Sequence, residues 1–236
     1  MPAYFDANKL PDPQKEYVCF IDIMGFQTKI LHSVKQASNY MFKLHATLLE
    51  AWRTKAYNSI AVYPIMDGAY VTSRHKNDLL NFLSYVFRSL AVSLDETDNF
   101  AHWYMVRAAI AYGDTIHGRS IPYDASYEFC SRVGYKEQLL LSPAMIEAYN
   151  GEKLASPMGV FICESAVNTR QGINSNWKWY NNPHTQTPQM NYSHFQEQLR
   201  NYLPWIFAHS TETEYPLEAR KRHLVTASDY FGFKNE

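Results

Sequence analysis

The sequence lacks the features that mark several large classes of protein. Its three cysteines, Cys19, Cys130 and Cys163, are an odd number at wide spacings, so they predict neither a disulfide framework nor a CxxC metal site. No stretch approaches the roughly 20 continuous apolar residues of a membrane helix. The first 17 residues contain aspartates and prolines before any apolar run, which is the wrong composition for a signal peptide. These absences favour a cytosolic protein that does not bind a membrane.

Charge and composition exclude two further classes. Lys and Arg total 22 against 23 Asp and Glu, so the formal net charge is −1, without the basic excess expected of a general nucleic-acid-binding protein. Hydrophobic residues make up 46% and charged residues 19%, which is far from the composition of disordered chains. A length of 236 residues suits one domain. We therefore predict a single domain over 1–236, with its core at about 15–167 and with 168–236 packed on that core.

Hydrophobic periodicity predicts an alternating order of strands and helices. Short β-type runs lie at 17–21, 59–63, 68–72, 103–112 and 158–163. Helical patterns or a Ser-Pro helix start mark one or two helices at 27–55, and further helices at 79–94, 142–154 and 194–202. Up to residue 163 the order is β, α, β, β, α, β, loop, α, β. It predicts an α/β (α+β) sandwich with a mostly antiparallel sheet flanked by helices.

The segment FIDIMGF, residues 20–26, places Asp22 at the end of a β-type run, directly before a turn with Gly25. Backbone N–H groups at Gly25 and Phe26 would face anionic oxygens, and the Asp22 carboxylate with the carbonyl of Ile23 could hold a divalent ion beside them. Such a turn suits a polyphosphate. A helix-capping aspartate followed by a turn glycine is the structural alternative.

A second aspartate lies in YPIMDG, residues 63–68, between two β-type runs that predict a hairpin. Asp67 would lie at the hairpin tip, and adjacent strands could bring it beside Asp22. Two such carboxylates can bind two divalent ions, which orient an attacking oxygen and neutralise a triphosphate. Taken alone, Asp67 followed by Gly68 would indicate only a tight turn.

The third segment is VRAAIAYG, residues 106–113. With the other two, it resembles the catalytic domain of the class III nucleotidyl cyclases, which carries an F-x-D-I-x-G-F strand and turn, a hairpin with an aspartate, and an R-x-G-I-x-x-G strand. The likeness covers roughly residues 17–165. It includes SPAMIEA at 142–148, where that family has a G-x-x-V-N-x-A helix.

This resemblance implies a ferredoxin-like core and a homodimer with sites at the subunit interface. It implies that Asp22 and Asp67 are catalytic and bind two divalent ions, with the carbonyl of Ile23 as a further ligand. It also implies that Arg107 meets the triphosphate. The alternative for Arg107 is an ordinary surface position on a strand.

The sequence departs from the class III pattern on the last helix of the motif. An ungapped alignment places Ile146 and Asn150 where that family has its transition-state Asn and Arg. Ile146 has no polar group, and Asn150 lacks the charge that an arginine offers to a pentacovalent phosphate. Either Arg132, Lys136 or a basic residue of the tail supplies that charge, or the activity is lost. The basic cluster at 220–223 indicates a solvated helix end or, alternatively, a phosphate contact.

The base pocket departs from the pattern as well. Purine cyclases of this family carry a Lys or a Glu four residues before the hairpin aspartate, and Tyr63 has that position here; their second base-reading position falls near Leu139. A tyrosine ring would shrink the pocket, so a pyrimidine would fit better than a purine and would contact the phenol by stacking and hydrogen bonding. Because the hydroxyl can donate or accept, it could serve uracil or cytosine. Core packing is the alternative for Tyr63.

The hairpin at 63–68, Arg107 and the segments at 142–149 and 158–161 together resemble the pyrimidine cyclases of the bacterial Pycsar antiphage system. This resemblance implies a cytoplasmic enzyme that uses Mn²⁺ (or Mg²⁺) to convert UTP, favoured over CTP, into 3′,5′-cyclic UMP or cyclic CMP and pyrophosphate. The product would activate a separate effector during phage infection. The alternative is a catalytically degenerate nucleotide-binding module of the same fold. No zinc-protease, G-x-S-x-G or Walker motif indicates another activity.

Overall fold

A computed structural model describes residues 4–54, 59–95, 99–182, 188–209 and 217–233. Its strands are β1 (Gln14–Ile23), β2 (Ile60–Ile65), β3 (Gly68–Ser73), β4 (Val106–His117), β5 (Leu140–Leu141) and β6 (Val160–Ile162). Its helices are α1 (Phe26–His32), α2 (Val34–Thr54), α3 (Lys76–Asp95), α4 (Tyr127–Ser131), α5 (Val133–Lys136), α6 (Pro143–Glu152), α7 (Glu164–Val167), α8 (Tyr192–Ala208) and α9 (Leu217–Phe231).

The strands of the described residues form one sheet in the order β2-β3-β1-β4-β5, with β6 beside β4. Every pairing is antiparallel except that of β6 with β4. From β1 to β4 the chain runs β, α, α, β, β, α, β, with β1 and β3 at the centre, which is a ferredoxin-like arrangement. The predicted α/β sandwich with a mostly antiparallel, helix-flanked sheet is confirmed.

The two faces of β1 carry different sets of side chains, because successive residues of a strand point to opposite sides. Tyr17, Cys19 and Ile21 belong to the large core that the sheet shares with α2 and α3. Val18 and Phe20 belong to a smaller cluster under α6, which is lined by small residues: Ala61, Ala109, Ala111, Ala144 and Ala148. The small side chains let α6 approach the sheet closely, and Asp22 points to this same face.

Residues beyond 168 contribute to the larger core. Trp179, Phe195 and Leu199 are at most 1% exposed and pack in the cluster that contains α3. Fully burying a large apolar side chain stabilises a fold by about 1.5–3 kcal/mol. The Arg88 guanidinium adds hydrogen bonds of 2.8 and 3.1 Å to the carbonyls of Tyr180 and Asn182. These contacts attach the segment after 168 to α3.

Several predicted boundaries were wrong at strand and helix ends. β1 begins at Gln14 rather than at residue 17, and β4 begins at Val106 rather than at residue 103 and continues past residue 112 to His117. The two extensions have one cause, since the added residues pair with each other, from Glu16 opposite Gly113 to Gln14 opposite Thr115. Residue 55, the predicted end of the first helical region, lies outside the described residues. No helix in the described part of the chain is long and apolar enough to cross a membrane.

Candidate active site

The sheet brings Asp22 and Asp67 together at one end of its central strands. Asp22 is the penultimate residue of β1, and its neighbours across the sheet are Gly68 on β3 and Arg107 on β4. Asp67 lies in the two-residue turn that joins β2 to β3, directly before Gly68. The predicted hairpin with an aspartate at its tip is therefore present, and the pairing of β1 with β3 puts that tip beside Asp22.

Gly68 makes the close approach of the two aspartates possible. A Cβ atom at this position would lie 2.4 Å from the backbone oxygen of Ile21 and 3.1 Å from Oδ1 of Asp22. The first distance is shorter than any normal van der Waals contact. A side chain at residue 68 would therefore push β3 away from β1 and displace the Asp22 carboxyl group.

The Asp22 and Asp67 carboxyl groups interact closely enough for each to shift the pKa of the other. Burial, the nearby charges of Asp67 and Glu152, and hydrogen bonding with Asp67 raise the pKa of Asp22 to about 7, while Arg107 acts in the opposite direction. Burial also raises the pKa of Asp67, although hydrogen bonds from its own backbone and from Asp22 lower it in part. Close carboxylates resist simultaneous ionisation, so the pair carries an uncompensated electrostatic cost at neutral pH.

Such a pair fits a divalent cation. Carboxylate and carbonyl oxygens are the ligands that Mg²⁺ and Mn²⁺ prefer, and a positive ion between Asp22 and Asp67 would remove their repulsion. Among the described residues, no group of three or more His, Cys, Asp or Glu side chains is arranged to hold a metal. Further ligands would therefore have to be backbone carbonyls, water or substrate oxygens, and the predicted carbonyl of Ile23 is adjacent in sequence to Asp22.

The predicted phosphate turn follows β1 directly. The backbone N–H of Met24 donates to the carbonyl of Met105 at 2.8 Å, which fixes the chain as it leaves the sheet. Gly25 then has a left-handed conformation with φ 68°, and α1 begins at Phe26, whose side chain is buried. The start of α1 and the Asp22 carboxyl group thus lie on either side of one short turn. Substrate binding by Gly25 and Phe26 stays a prediction.

Arg107 faces an internal network instead of open solvent. Its side chain is 12% exposed, and Nε lies 2.6 Å from Oε1 of Glu152, at the end of α6. Neither atom makes a well-aligned hydrogen bond within the described residues, so the contact is an ion pair. Nη1 of Arg107 lies 3.1 Å from Nε2 of His223, on α9. Triphosphate binding by Arg107 stays a prediction, and it would require that the guanidinium reach past these two partners.

The protonation of the network follows from burial. Burial and the positive charge of Arg107 lower the pKa of His223 to about 4, so the ring is neutral at pH 7 and Nε2 can accept a hydrogen bond from Arg107. Burial raises the pKa of Glu152, against the attraction of Arg107. The pKa of Asp22 is raised in part by Glu152, which links this network to the carboxyl pair.

His223 and Glu152 are site residues that the sequence interpretation missed. The basic cluster at 220–223 was interpreted as a solvated helix end or a phosphate contact, but His223 is 4% exposed and packs against Arg107. A clue was available, since one histidine stands among charged residues in a helix that also carries apolar side chains at 227, 230 and 231. That spacing indicates a helix with one buried face.

Tyr63 lies on β2 and is 5% exposed. Its hydroxyl forms a short hydrogen bond with Nδ1 of His117, and Nε2 of that ring lies 2.9 Å from Oε2 of Glu16. Oε1 of Glu16 accepts a 3.2 Å hydrogen bond from Nε of Arg74. We call these four residues, Tyr63, His117, Glu16 and Arg74, the relay. The phenol is thus both packed and hydrogen-bonded, and its predicted contact with a base stays a prediction.

The two residues that align with the transition-state Asn and Arg of the class III pattern are exposed. Ile146 is 67% exposed on α6, and Asn150 is also exposed. Arg132 lies at the surface, whereas the Lys136 ammonium donates to the carbonyl of Ile121 at 3.0 Å. Arg222 directly precedes His223, its Nη2 lies 3.4 Å from Nε2 of that ring, and its charge lowers the pKa of Glu152, so it is a tail cation that contacts the network.

Comparisons with known proteins give a likeness of fold only. No family model matches the chain, and no curated protein matches it. A guanylyl cyclase domain of the RhoGC fusion protein from the aquatic fungus Blastocladiella emersonii is similar, with a TM-score of 0.49, 13% identity, and coverage of 66% of this chain and 83% of that one. A bacterial light-regulated adenylyl cyclase has a TM-score of 0.43, 15% identity, and coverage of 61% and 41%. The guanylyl cyclase Cya2 has a TM-score of 0.43, 10% identity, and coverage of 64% and 75%.

Proposed function

We propose that this protein is a nucleotide cyclase. The observation that carries the proposal is the Asp22–Asp67 carboxyl pair, which the pairing of β1 with β3 brings together at one end of the sheet, where the negative charge of Asp67 opposes the ionisation of Asp22. In a protein with a purely structural role this contact would only destabilise the fold, because it holds together two partly exposed carboxyl groups with raised pKa values. In a nucleotide site, divalent cations bound to a polyphosphate would neutralise the two carboxylates.

In the proposed reaction the 3′-hydroxyl of a nucleoside triphosphate loses its proton to solvent, and its oxygen forms a bond to the α-phosphorus of the same nucleotide. The bond from that phosphorus to the oxygen that bridges the α- and β-phosphates breaks. The products are a 3′,5′-cyclic nucleotide and pyrophosphate. Asp22 and Asp67, with the carbonyl of Ile23, would hold the ions that supply electrostatic stabilisation of the attacking oxygen and of the triphosphate. Backbone N–H groups at Gly25 and Phe26 would bind phosphate oxygens.

Arg107 would supply positive charge to the phosphates in this proposal. Glu152 and His223 orient its guanidinium from two sides, so its position is set before substrate arrives. Arg222 would be the second cation, in place of the arginine that the class III pattern has on its last helix.

The choice of nucleotide rests on Tyr63 and on the Pycsar resemblance. A tyrosine ring leaves less room for a base than the Lys or Glu that purine cyclases carry at this position, so it favours a pyrimidine. The resemblance favours UTP and therefore cyclic UMP. It also suggests Mn²⁺ as the ion, a homodimer, and a role in antiphage defence in which the cyclic product activates an effector. A cytoplasmic location belongs to the same proposal.

A nucleotide-binding module without catalysis is the second candidate. Two observations favour it: Ile146 and Asn150 offer no cation at the place where class III cyclases have one, and Arg107 is already paired with Glu152. Such a module would keep the aspartate pair and bind a metal–nucleotide complex without releasing pyrophosphate.

One assay separates the two candidates. The purified full-length protein is incubated with ATP, GTP, CTP or UTP and Mn²⁺, and both pyrophosphate and cyclic nucleotide are quantified. Asp67→Ala should abolish product formation and leave the fold intact, because Asp67 lies in a turn. Asp12→Ala, at an exposed position before β1, is the matched control and should leave turnover unchanged. No product from any of the four nucleotides would leave only the binding module.

A further inference from the structure

A cavity of about 250 Å³ lies between α8 and the core. Its lining comes from α1, the start of α2, the segment directly before β4, and α8. None of the residues of the carboxyl pair, of the relay or of the Arg107 network lines it. The proposed reaction does not use this cavity, so it is a candidate for a separate binding site.

Four aromatic rings form one part of the lining, and we call them the aromatic wall: Phe100, Trp103, Tyr202 and Trp205. The Phe100 ring meets the other three edge-on, with centroids 5.1, 5.5 and 5.9 Å away. Trp103 and Tyr202 are at most 3% exposed, so packing fixes the wall, while Phe100 and Trp205 are only half-buried. Aromatic rings favour offset or edge-to-face contact with a further ring. The wall therefore suits a planar, apolar group.

Two hydrogen-bond donors of α1, the Lys29 ammonium and the Thr28 hydroxyl, line another part of the cavity. Within the described residues neither donor makes a hydrogen bond or an ion pair, and the ammonium lies over the Tyr40 ring, 5.1 Å from its centroid. Burial lowers the pKa of Lys29, and no carboxylate of the described chain offsets this effect. A buried charge without a counter-ion is costly, and a ring face compensates only part of the cost. An anion beside Lys29 would remove that cost.

The ring beneath the ammonium is held in place by hydrogen bonds. Tyr40 is fully buried, and its hydroxyl donates to the carbonyl of Ala101 at 2.9 Å. The side-chain amide of Gln36 donates to the same hydroxyl at 2.7 Å and to the Ala101 carbonyl at 3.3 Å. A ligand that pairs with Lys29 would therefore have to order little of its surroundings, which favours binding.

We infer that this cavity binds a small aromatic carboxylate, whose ring packs on the aromatic wall and whose two oxygens accept hydrogen bonds from Lys29 and Thr28. A carboxylate only accepts hydrogen bonds, and its bonds to an ammonium are stronger than those between neutral groups. The inference does not depend on the proposed function, because the cavity shares no residue with the carboxyl pair.

Charge and size exclude other ligand classes. No Asp or Glu side chain lines the cavity within the described residues, whereas Lys29 and His32 do, so a cationic ligand would be repelled. A neutral aromatic compound would leave the ammonium without a counter-ion. An engineered cavity of about 150 Å³ in another protein holds benzene. The larger cavity here therefore has room for one ring and a carboxylate.

The test is calorimetric titration of the purified full-length protein with benzoate at pH 7, without nucleotide or metal. Benzoate should bind saturably and one to one, with a dissociation constant on the order of 1 mM or lower. Benzamide keeps the ring without the charge and should bind at least about 10-fold more weakly. Acetate keeps the charge without the ring and should not saturate the protein. Equal binding of benzoate and benzamide, or no saturation by benzoate at about 10 mM, would overturn the inference.

Two lysine variants locate the bound benzoate. Lys29→Met keeps an unbranched apolar stem without the charge and should weaken benzoate binding on the order of 10- to 100-fold, whereas Lys29→Arg should retain part of the affinity. Lys43→Met is the matched control, since Lys43 is exposed on α2 and outside the cavity, and its affinity should equal that of the wild type. Trp205→Leu, on the aromatic wall, is the second variant if Lys29→Met does not fold, and it should also weaken binding. Wild-type affinity in folded Lys29→Met or Trp205→Leu would contradict the site.

One further variant keeps this inference separate from the cyclase proposal. Asp67→Ala should bind benzoate as the wild type does, because Asp67 does not line the cavity. That result is expected whether or not any nucleotide is turned over, so failure of the cyclase assay would leave the benzoate site standing. Loss of benzoate binding in folded Asp67→Ala would show that the two sites are not separate and would overturn the inference.

Discussion

Replacing Asp22 by Asn should stabilise the metal-free protein at neutral pH. The wild-type carboxyl is held beside Asp67 and Glu152, and its pKa rises from the ordinary 3.8 to about 7. At 1.36 kcal/mol per pKa unit this corresponds to about 4 kcal/mol, and the partial exposure of Asp22 reduces the expected effect to about 2 kcal/mol. Asn cannot ionise, so Asp22→Asn removes this cost while it keeps the size of the side chain.

The stabilisation has a defined pH window. Because the folded-state pKa of Asp22 is raised, the folded protein binds more protons than the unfolded chain between about pH 4 and pH 7. The free energy of unfolding therefore falls at this site as the pH rises through that window. Wild type and Asp22→Asn should be equally stable near pH 4, and the variant should become progressively more stable up to pH 7. Asp12→Asn, which changes an exposed carboxylate, should show no such difference.

Urea unfolding followed by circular dichroism, at pH 4 to 8 with a chelator and again with Mn²⁺, measures both effects. Mn²⁺ at about 100 times its dissociation constant should stabilise the wild type by about 2.7 kcal/mol and should stabilise the variant much less. Two results would refute the reasoning. One is a free-energy difference between the proteins that does not change with pH, and the other is an equal gain from Mn²⁺ in both.

Three further predictions concern the same site. Gly68→Ala should lower the free energy of unfolding by about 1–3 kcal/mol in urea titrations, because the new Cβ would meet the Ile21 carbonyl at 2.4 Å; an unchanged midpoint would contradict the close packing of Gly68 against Ile21. His223→Ala should lower kcat for cyclisation more than it raises KM, because Arg107 loses an acceptor at 3.1 Å, and His223→Asn should recover part of the loss. Sedimentation at micromolar concentration should report a dimer, and an active, strictly monomeric enzyme would contradict a site shared between subunits.

The order of elements could be predicted from the sequence because the relevant signals are local. Period-two and three-to-four-residue spacings of apolar side chains identified β1, both strands of the hairpin and α3, and Ser142 with Pro143 identified the start of α6. Ser142 caps that helix through a 3.1 Å hydrogen bond from the N–H of Ala144. The two β-type runs around residues 63–68 predicted a hairpin with Asp67 at its tip. Because adjacent strands could bring that tip beside the end of β1, the contact of Asp67 with Asp22 was predicted as well.

The partners of Arg107 and Tyr63 could not be predicted in this way. His223 is 116 residues from Arg107 in the chain, and His117 is 54 residues from Tyr63. The spacing of residues 223, 227, 230 and 231 indicates that His223 lies on a buried face, but no local pattern indicates which distant residue either histidine contacts. Glu16 is buried because β1 extends to Gln14, an extension that the local pattern did not predict.

The two polar networks on this face of the sheet share one physical arrangement. In each, a buried glutamate retains a partner that lowers its pKa relative to burial alone: Arg74 and His117 act on Glu16, and Arg107 acts on Glu152. In each, a histidine ring lies within hydrogen-bond distance of the residue proposed to contact substrate, which is Tyr63 for His117 and Arg107 for His223. One network lies near the base end and the other beside the carboxyl pair. Substitutions of the two histidines should therefore have separable effects, with base preference changing at His117 and the rate of cyclisation changing at His223. If both substitutions changed the same kinetic parameter in the same proportion, the two networks would have to act through a common effect on the sheet.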